Sequence, residues 1–224
     1  MFRFTHVHTA TFGERDWLAR YDPGVCGVIW KLCAGVGLRG PARMFLERWP
    51  YRHAMPVTPA RVRELADQCG MAAWYIHALN TRARRRHVCI ACGWQADNFP
   101  RGISIFEPGC GCGANLLWLA SRGFRTISGA DLDGAALNLC RALQKEMGLS
   151  FPVFQDDCMS PTQPAQPQDV ILSVDRLYHV PQASLGVFLE TYLPYLKHDG
   201  CTVTPMSNIR DVGYRGYLAG YSRT

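Results

Sequence analysis

An acid and three glycines at alternate positions, Glu107-Pro108-Gly109-Cys110-Gly111-Cys112-Gly113, stand between a short apolar run and a helical pattern. Glycines at such a junction let the backbone turn tightly and let a ligand lie against bare main chain. The helix start behind them offers free N–H groups and a positive dipole end. Residues of these types at this spacing suit a nucleotide-like cofactor. Two further acids fit the same chemistry. Asp131 stands 18 residues after Gly113, where a carboxylate could accept from ribose hydroxyls. In Gln155-Asp156-Asp157-Cys158 a carboxylate could accept from an adenine amino group.

These residues need a scaffold, and the pattern from Ile103 onward supplies one. Strands are expected at Ile103–Phe106, Arg125–Ala130, Phe151–Phe154, Val170–Val174 and Cys201–Pro205. Helices are expected at Ala114–Ser121, Ala135–Met147 and Leu185–Leu196, the second with Ala136, Leu139, Cys140 and Leu143 at helical spacing. Ser160–Gln168 holds three prolines and reads as a loop. Strands alternating with helices imply a doubly wound, Rossmann-like parallel sheet with right-handed crossovers. Ligands bind such sheets at the carboxyl ends of the strands, where the glycine loop falls.

A dinucleotide-binding domain is the rival reading of the loop. The spacing here is G-x-G-x-G and not G-x-G-x-x-G, and hydride transfer would not need the acid at Asp157. With the fourth strand running Asp169-Val-Ile-Leu-Ser-Val-Asp-Arg-Leu-Tyr-His-Val, the chain resembles class I S-adenosylmethionine-dependent methyltransferases over about residues 102–205. The resemblance implies a transferase with S-adenosylmethionine (SAM) as cofactor. It implies that Glu107, Gly109, Cys110, Gly111 and Gly113 hold the methionine end and that Asp131, followed by Leu132, binds the ribose. It implies also that Asp157 and the backbone N–H of Cys158 meet the adenine, with Ser173 beside the cofactor. Ser173 to Pro181 looks like the corresponding segment of ubiquinone-type O-methyltransferases. There a Glu usually precedes the His, whereas this chain has Tyr178, which speaks against a metal-assisted mechanism. His179 is the candidate base, with Tyr178 and Asp175 on the same loop. The alternative for His179 is packing under the cofactor. No Asn/Asp-Pro-Pro-aromatic tetrad follows the fourth strand, so a small or medium organic acceptor, methylated at oxygen or nitrogen, is the expectation.

The net charge of +6 is unevenly spread. Residues 1–100 carry 14 Lys+Arg against 7 Asp+Glu, and residues 101–224 carry 10 against 11. The division expected is a basic, mainly helical cap or dimerisation region over 1–100 and a SAM-binding domain over 101–224. Thr58-Pro59 opens a helical pattern through Val62, Leu65, Ala66 and Cys69, which Gly70 breaks. Trp74, Ile76 and Leu79 continue it, and Arg82, Arg84, Arg85 and Arg86 follow. This outline fits a helical lid, a dimerisation module giving a homodimer, or a helix-turn-helix; nucleic-acid binding is the least favoured. Under an RNA- or protein-methylase reading the basic arm would recruit an acidic substrate. Only Met206 to Thr224 follow the fifth strand, too few for the helix and antiparallel strand pair of the family fold. A truncated C-terminal strand pair is therefore expected, and with it comes the alternative of a non-catalytic SAM-binding partner subunit.

Several of the ten cysteines fall inside expected strands, helices and the glycine loop, and no basic-then-apolar leader opens the chain. Both features favour a reducing cytoplasm. Gly24 to Leu38 is too short for a span of about 20 apolar residues. Cys89 and Cys92 look like half a zinc knuckle, with His87, Cys69, Cys33 or Cys26 as the available partners. A closed zinc site needs four ligands, and without a second Cys-x-x-Cys no metal site is expected. Cys110 and Cys112 read as small spacers.

Overall fold

The computed structural model describes residues 10–11, 32, 35–38, 57, 59–71, 92–93, 95–174, 185–206 and 217–222. Among these residues the seven strands are β1 (Ala10–Thr11), β2 (Ile105–Pro108), β3 (Ile127–Asp131), β4 (Val153–Gln155), β5 (Gln168–Leu172), β6 (Leu196–Met206) and β7 (Tyr217–Ser222). They form one sheet in the order β1-β7-β6-β5-β2-β3-β4. The five strands from β6 to β4 are parallel, and β7 and β1 add on antiparallel. The chain steps outward from β2 through β3 to β4, then returns to the other side of β2 for β5 and β6. The strand order thus reverses between β2 and β5, a switch point that opens a crevice beyond their carboxyl ends.

Two apolar layers cover the sheet, and alternation along each strand assigns its side chains to them. Ile105, Ile127, Val153, Val170 and Leu172 belong to the larger cluster. That layer contains α1 (Pro59–Gln68), α2 (Ala114–Ser121) and α3 (Gly134–Glu146). Phe106, Ala130 and Ile171 face the opposite layer, where Phe188 and Tyr192 of α4 (Leu185–Tyr192) pack. A one-turn 3-10 helix, Leu193–Tyr195, links α4 to β6. Strands buried on both faces explain why they read as continuous apolar runs.

Local chemistry sets the element ends. Asp133 caps α3 by accepting from the N–H groups of Ala135 (2.9 Å) and Ala136 (3.2 Å). Val62, Leu65 and Ala66 of α1 are buried in the layer shared with α2 and α3, and Arg61 bonds Glu146 of α3 at 3.0 Å. Gly70, at φ +68°, follows that helix. At the amino edge, Asp169 Oδ2 accepts from the backbone N and Oγ of Ser104, both at 2.7 Å. The same oxygen accepts from Lys197 Nζ at 2.8 Å, tying β5 and β6 to the chain entering β2.

The expected helix Ala114–Ser121 is observed residue for residue, and the three-proline stretch is a loop. The first strand lies two residues later than expected and runs through Glu107 and Pro108, which pair with Gly129 and Ala130. Helix α4 ends at Tyr192, four residues early, where Pro194 stands in the 3-10 turn. After β6 the chain does supply one antiparallel strand, β7, and the antiparallel neighbour of β7 comes from the N-terminal part as β1. Both ends of the chain therefore build that edge. Among the described residues no helix is long and apolar enough to cross a membrane.

Candidate functional site

The turn after β2 places the glycine loop at the switch point. Gly109, Gly111 and Gly113 have φ of +66°, +56° and +72°, a region that side-chain-bearing residues rarely adopt. Gly113 precedes α2 without a side-chain cap, so the first-turn N–H groups of that helix are left for other partners. A side chain at Gly113 would also overlap Cys140 Sγ. Across the loop, a Cβ on Gly129 of β3 would lie 2.7 Å from Leu116 Cδ1 and 2.9 Å from Cys110 Cβ. The bare backbone of β3 is what lets the loop and α2 pack so close.

Asp131 ends β3 beside this loop and is 5% exposed. Its Oδ2 accepts from Gly111 N at 2.8 Å and its Oδ1 from Asp133 N at 2.9 Å. A carboxylate has about four lone-pair positions, so two backbone bonds leave two for a vicinal diol. One carboxylate thus holds the glycine loop in place and keeps capacity for a ligand.

Glu107 is buried at the end of β2, where Asn115 Nδ2 donates to its Oε1. Since a carboxylate only accepts, this contact fixes the amide orientation and turns Asn115 Oδ1 away from Glu107. That oxygen is buried and makes no hydrogen bond, and neither does Ser173 Oγ, one residue beyond β5. Buried acceptors and hydroxyls without partners are costly, so two of them beside a glycine loop mark a place for donors from a ligand. Asn115 is a candidate site residue that sequence reasoning missed. It reads as an ordinary first-turn helix residue, and its pairing with Glu107 has no spacing signature.

Beyond β4 the loop 156–163 is folded around Asp156. That carboxylate accepts from Thr162 N (2.8 Å), Thr162 Oγ1 (3.1 Å) and Gln163 N (2.9 Å), while Asp156 N donates to Asp131 O at 3.1 Å. Asp157 is exposed, and its Oδ1 accepts from Met159 N at 2.9 Å. Cys158 is half-buried against the α4 layer. Leu132 and Met159 expose apolar surface, 63% and 38%. The structure thus brings Glu107, the three glycines, Asp131 and Ser173 to one edge of the sheet, with the Asp157 loop bonded to the end of β3. Asp175, Tyr178 and His179, the expected catalytic group, lie outside the described residues, as do Cys89 and His87.

Cys110 and Cys112 are buried, and Cys110 fills the space above Gly129. Burial pushes the Cys110 thiol well above its usual range, helped by the neighbouring Glu107 charge. Burial likewise raises Cys140 to about 11. Both are protonated packing groups near neutral pH. Among the described residues no cluster of three or more His, Cys, Asp or Glu could hold a metal ion.

Residues 105–200, a little under half of the chain, match the family model described as a methyltransferase domain. Over that stretch the chain is similar to methyltransferase domains. No curated relative matches the sequence. Among solved structures, a magnesium protoporphyrin IX methyltransferase from Synechocystis PCC 6803 with bound SAM aligns at TM-score 0.51 and 15% identity, covering 61% of this chain and 78% of that one. A chain from Methanococcus maripaludis assigned to the SAM-dependent methyltransferases aligns at 0.52 and 11%, covering 74% and 93%. A Pyrococcus horikoshii protein aligns at 0.51 and 18%, covering 58% of this chain but little more than half, 56%, of its own. These likenesses establish the fold of the methyltransferase domain.

The site residues suit SAM on independent grounds: a loop of three left-handed glycines, a half-used carboxylate and buried polar atoms without partners. When bound, SAM supplies a methyl group made electrophilic by its sulfonium.

Proposed function

We propose that this methyltransferase acts on a small or medium organic molecule and methylates an oxygen or nitrogen nucleophile. The observation that carries the reading is the left-handed glycine loop braced by Asp131, with carboxylate capacity left for the ribose. In this reading Glu107, Gly109, Cys110, Gly111, Gly113 and Asn115 surround the methionine end. Asp131 and Leu132 receive the ribose, and Asp157 with the Cys158 N–H receives the adenine. Ser173 lies towards the reacting methyl. Methyl transfer is an in-line displacement, so these residues chiefly align donor and acceptor. A hydroxyl or amine acceptor must also lose a proton. His179 is the base we assign, with Tyr178 and Asp175 beside it in sequence, because imidazole titrates near neutrality.

A small acceptor is supported by the missing Asn/Asp-Pro-Pro-aromatic tetrad after β5 and by the near-neutral charge balance of residues 101–224. Calorimetry with S-adenosylhomocysteine tests the first link, and no binding would sink the reading. Labelled SAM offered with a small-molecule fraction and with RNA then selects the acceptor class. His179→Ala should slow turnover with cofactor affinity nearly intact; lost affinity would make His179 a packing residue.

A further inference from the structure

The loop that carries Asp157 is tied to the body of the domain by two tyrosine hydroxyls. Tyr192 OH donates to the carbonyl of Cys158, and Tyr195 OH donates to the carbonyl of Pro161, each at 2.9 Å. Tyr192 is 2% exposed. Its ring lies 5.1 Å from that of Phe188 and 6.1 Å from that of Tyr195, all three tilted in one ladder on the α4 layer. A buried phenol needs a partner for its hydroxyl, and here the partner is main chain.

The bonds around Asp156 close the loop on itself, which fixes its shape but not its position against the sheet. Position comes from contacts to other elements. Asp156 N bonds Asp131 O at 3.1 Å, and the Cys158 carbonyl is held by Tyr192. Asp157 stands between these two anchors, and Tyr195 holds the far limb of the loop at Pro161.

We infer that Tyr192 and Tyr195 are positioning residues for the adenosine half of the cofactor, acting through the main chain of residues 158–161. The inference rests on the methyltransferase reading, in which Asp157 and the Cys158 N–H face the adenine. It also extends the cofactor site to α4 and its 3-10 turn, elements outside the glycine-loop motifs. The side chains touch the loop and not the ligand, so neither is a catalytic residue.

Phenylalanine keeps each ring and removes only the hydroxyl, which separates positioning from packing. In the full chain, Tyr192→Phe and Tyr195→Phe should each weaken S-adenosylhomocysteine about three- to tenfold by calorimetry, the usual consequence of one lost hydrogen bond. Methylthioadenosine, which lacks the amino-acid end, should weaken by the same factor. Hydrogen exchange should quicken at the amides of 158–162 while those of α2 keep their protection. Unchanged affinity for both ligands in the double variant would overturn the inference and leave the methyltransferase reading standing. If the unaltered chain fails to bind S-adenosylhomocysteine, the underlying reading fails first. Selective weakening of S-adenosylhomocysteine with methylthioadenosine unaffected would also overturn it, since the effect would then lie at the wrong end of the cofactor.

Discussion

At the scale of single residues, Asp131 has two duties that an ordinary ligand-binding acid would not combine. Its oxygens hold Gly111 N and Asp133 N, so it sets the loop's position before any cofactor arrives. Asp131→Ala should therefore abolish S-adenosylhomocysteine binding and also lower unfolding stability by about 1.5–3 kcal/mol, the range for bonds to a charged group. A urea titration alongside calorimetry checks both. A loss of affinity with unchanged stability would show that the brace contributes nothing. Gly129 tests the same loop from beneath. A methyl group there meets Leu116 Cδ1 and Cys110 Cβ, both on buried side chains. Gly129→Ala should cost about 1–3 kcal/mol by overpacking and displace the glycine loop, so cofactor affinity should fall although residue 129 touches no ligand.

At the scale of elements, the amino edge of the sheet is fastened by charge. Burial alone would raise the Asp169 carboxyl, but Lys197 and the two donors of Ser104 outweigh it and hold it below its ordinary value. A carboxyl depressed in the folded state contributes stability above its unfolded value of about 3.9, and that contribution is lost as pH falls through the folded value. Asp169→Asn should therefore be less stable than the parent at pH 7, and the two should converge once pH falls below the depressed folded value. The difference should be modest because the pair is partly exposed. Equal separation of the urea midpoints at both pH values would remove the carboxylate from the explanation. Elements of this kind also show what sequence can reveal. Helix α2 was legible to the residue because Gly113 and the following apolar run announce its start. The apolar run gave β2 its existence but not its register. Glu107 and Pro108 look like strand breakers, yet they sit in the sheet because Gly129 and Ala130 lie alongside. Of the candidate site, Glu107, the glycines, Asp131 and Asp157 were legible because each stands in a short motif at the end of an expected strand. Asn115, Tyr192 and Tyr195 were invisible because each acts on a partner 8 to 34 residues away through one hydrogen bond.

At the scale of the whole molecule, the methyltransferase domain does not close its own core. Val62 and Leu65 of α1, together with Cys92, are buried in the same apolar cluster as α2 and α3, and Arg61 bridges α1 to Glu146. Strand β1 meanwhile pairs with β7 at the far edge of the sheet. The first hundred residues thus reach the domain at two separated places, one layer and one edge. Burying Val62 and Leu65 alone is worth roughly 3–6 kcal/mol. The net stability of a whole domain is only about 5–15 kcal/mol, so losing α1 would consume much of it. A chain beginning at Gly102 should therefore lack a cooperative thermal transition and bind no S-adenosylhomocysteine, even though it keeps every glycine and acid of the cofactor motifs. The full chain should unfold in one calorimetric step that engages α1 and α3 together. Val62→Ala offers a milder version, expected to lower stability by about 1–3 kcal/mol while leaving the cofactor site chemically intact. Two separate transitions in the full chain, the lower one abolished by removing residues 1–100 and the upper one unchanged, would show that α1 is a detachable cap. A single transition lowered by Val62→Ala would instead make α1 part of the scaffold that holds the glycine loop.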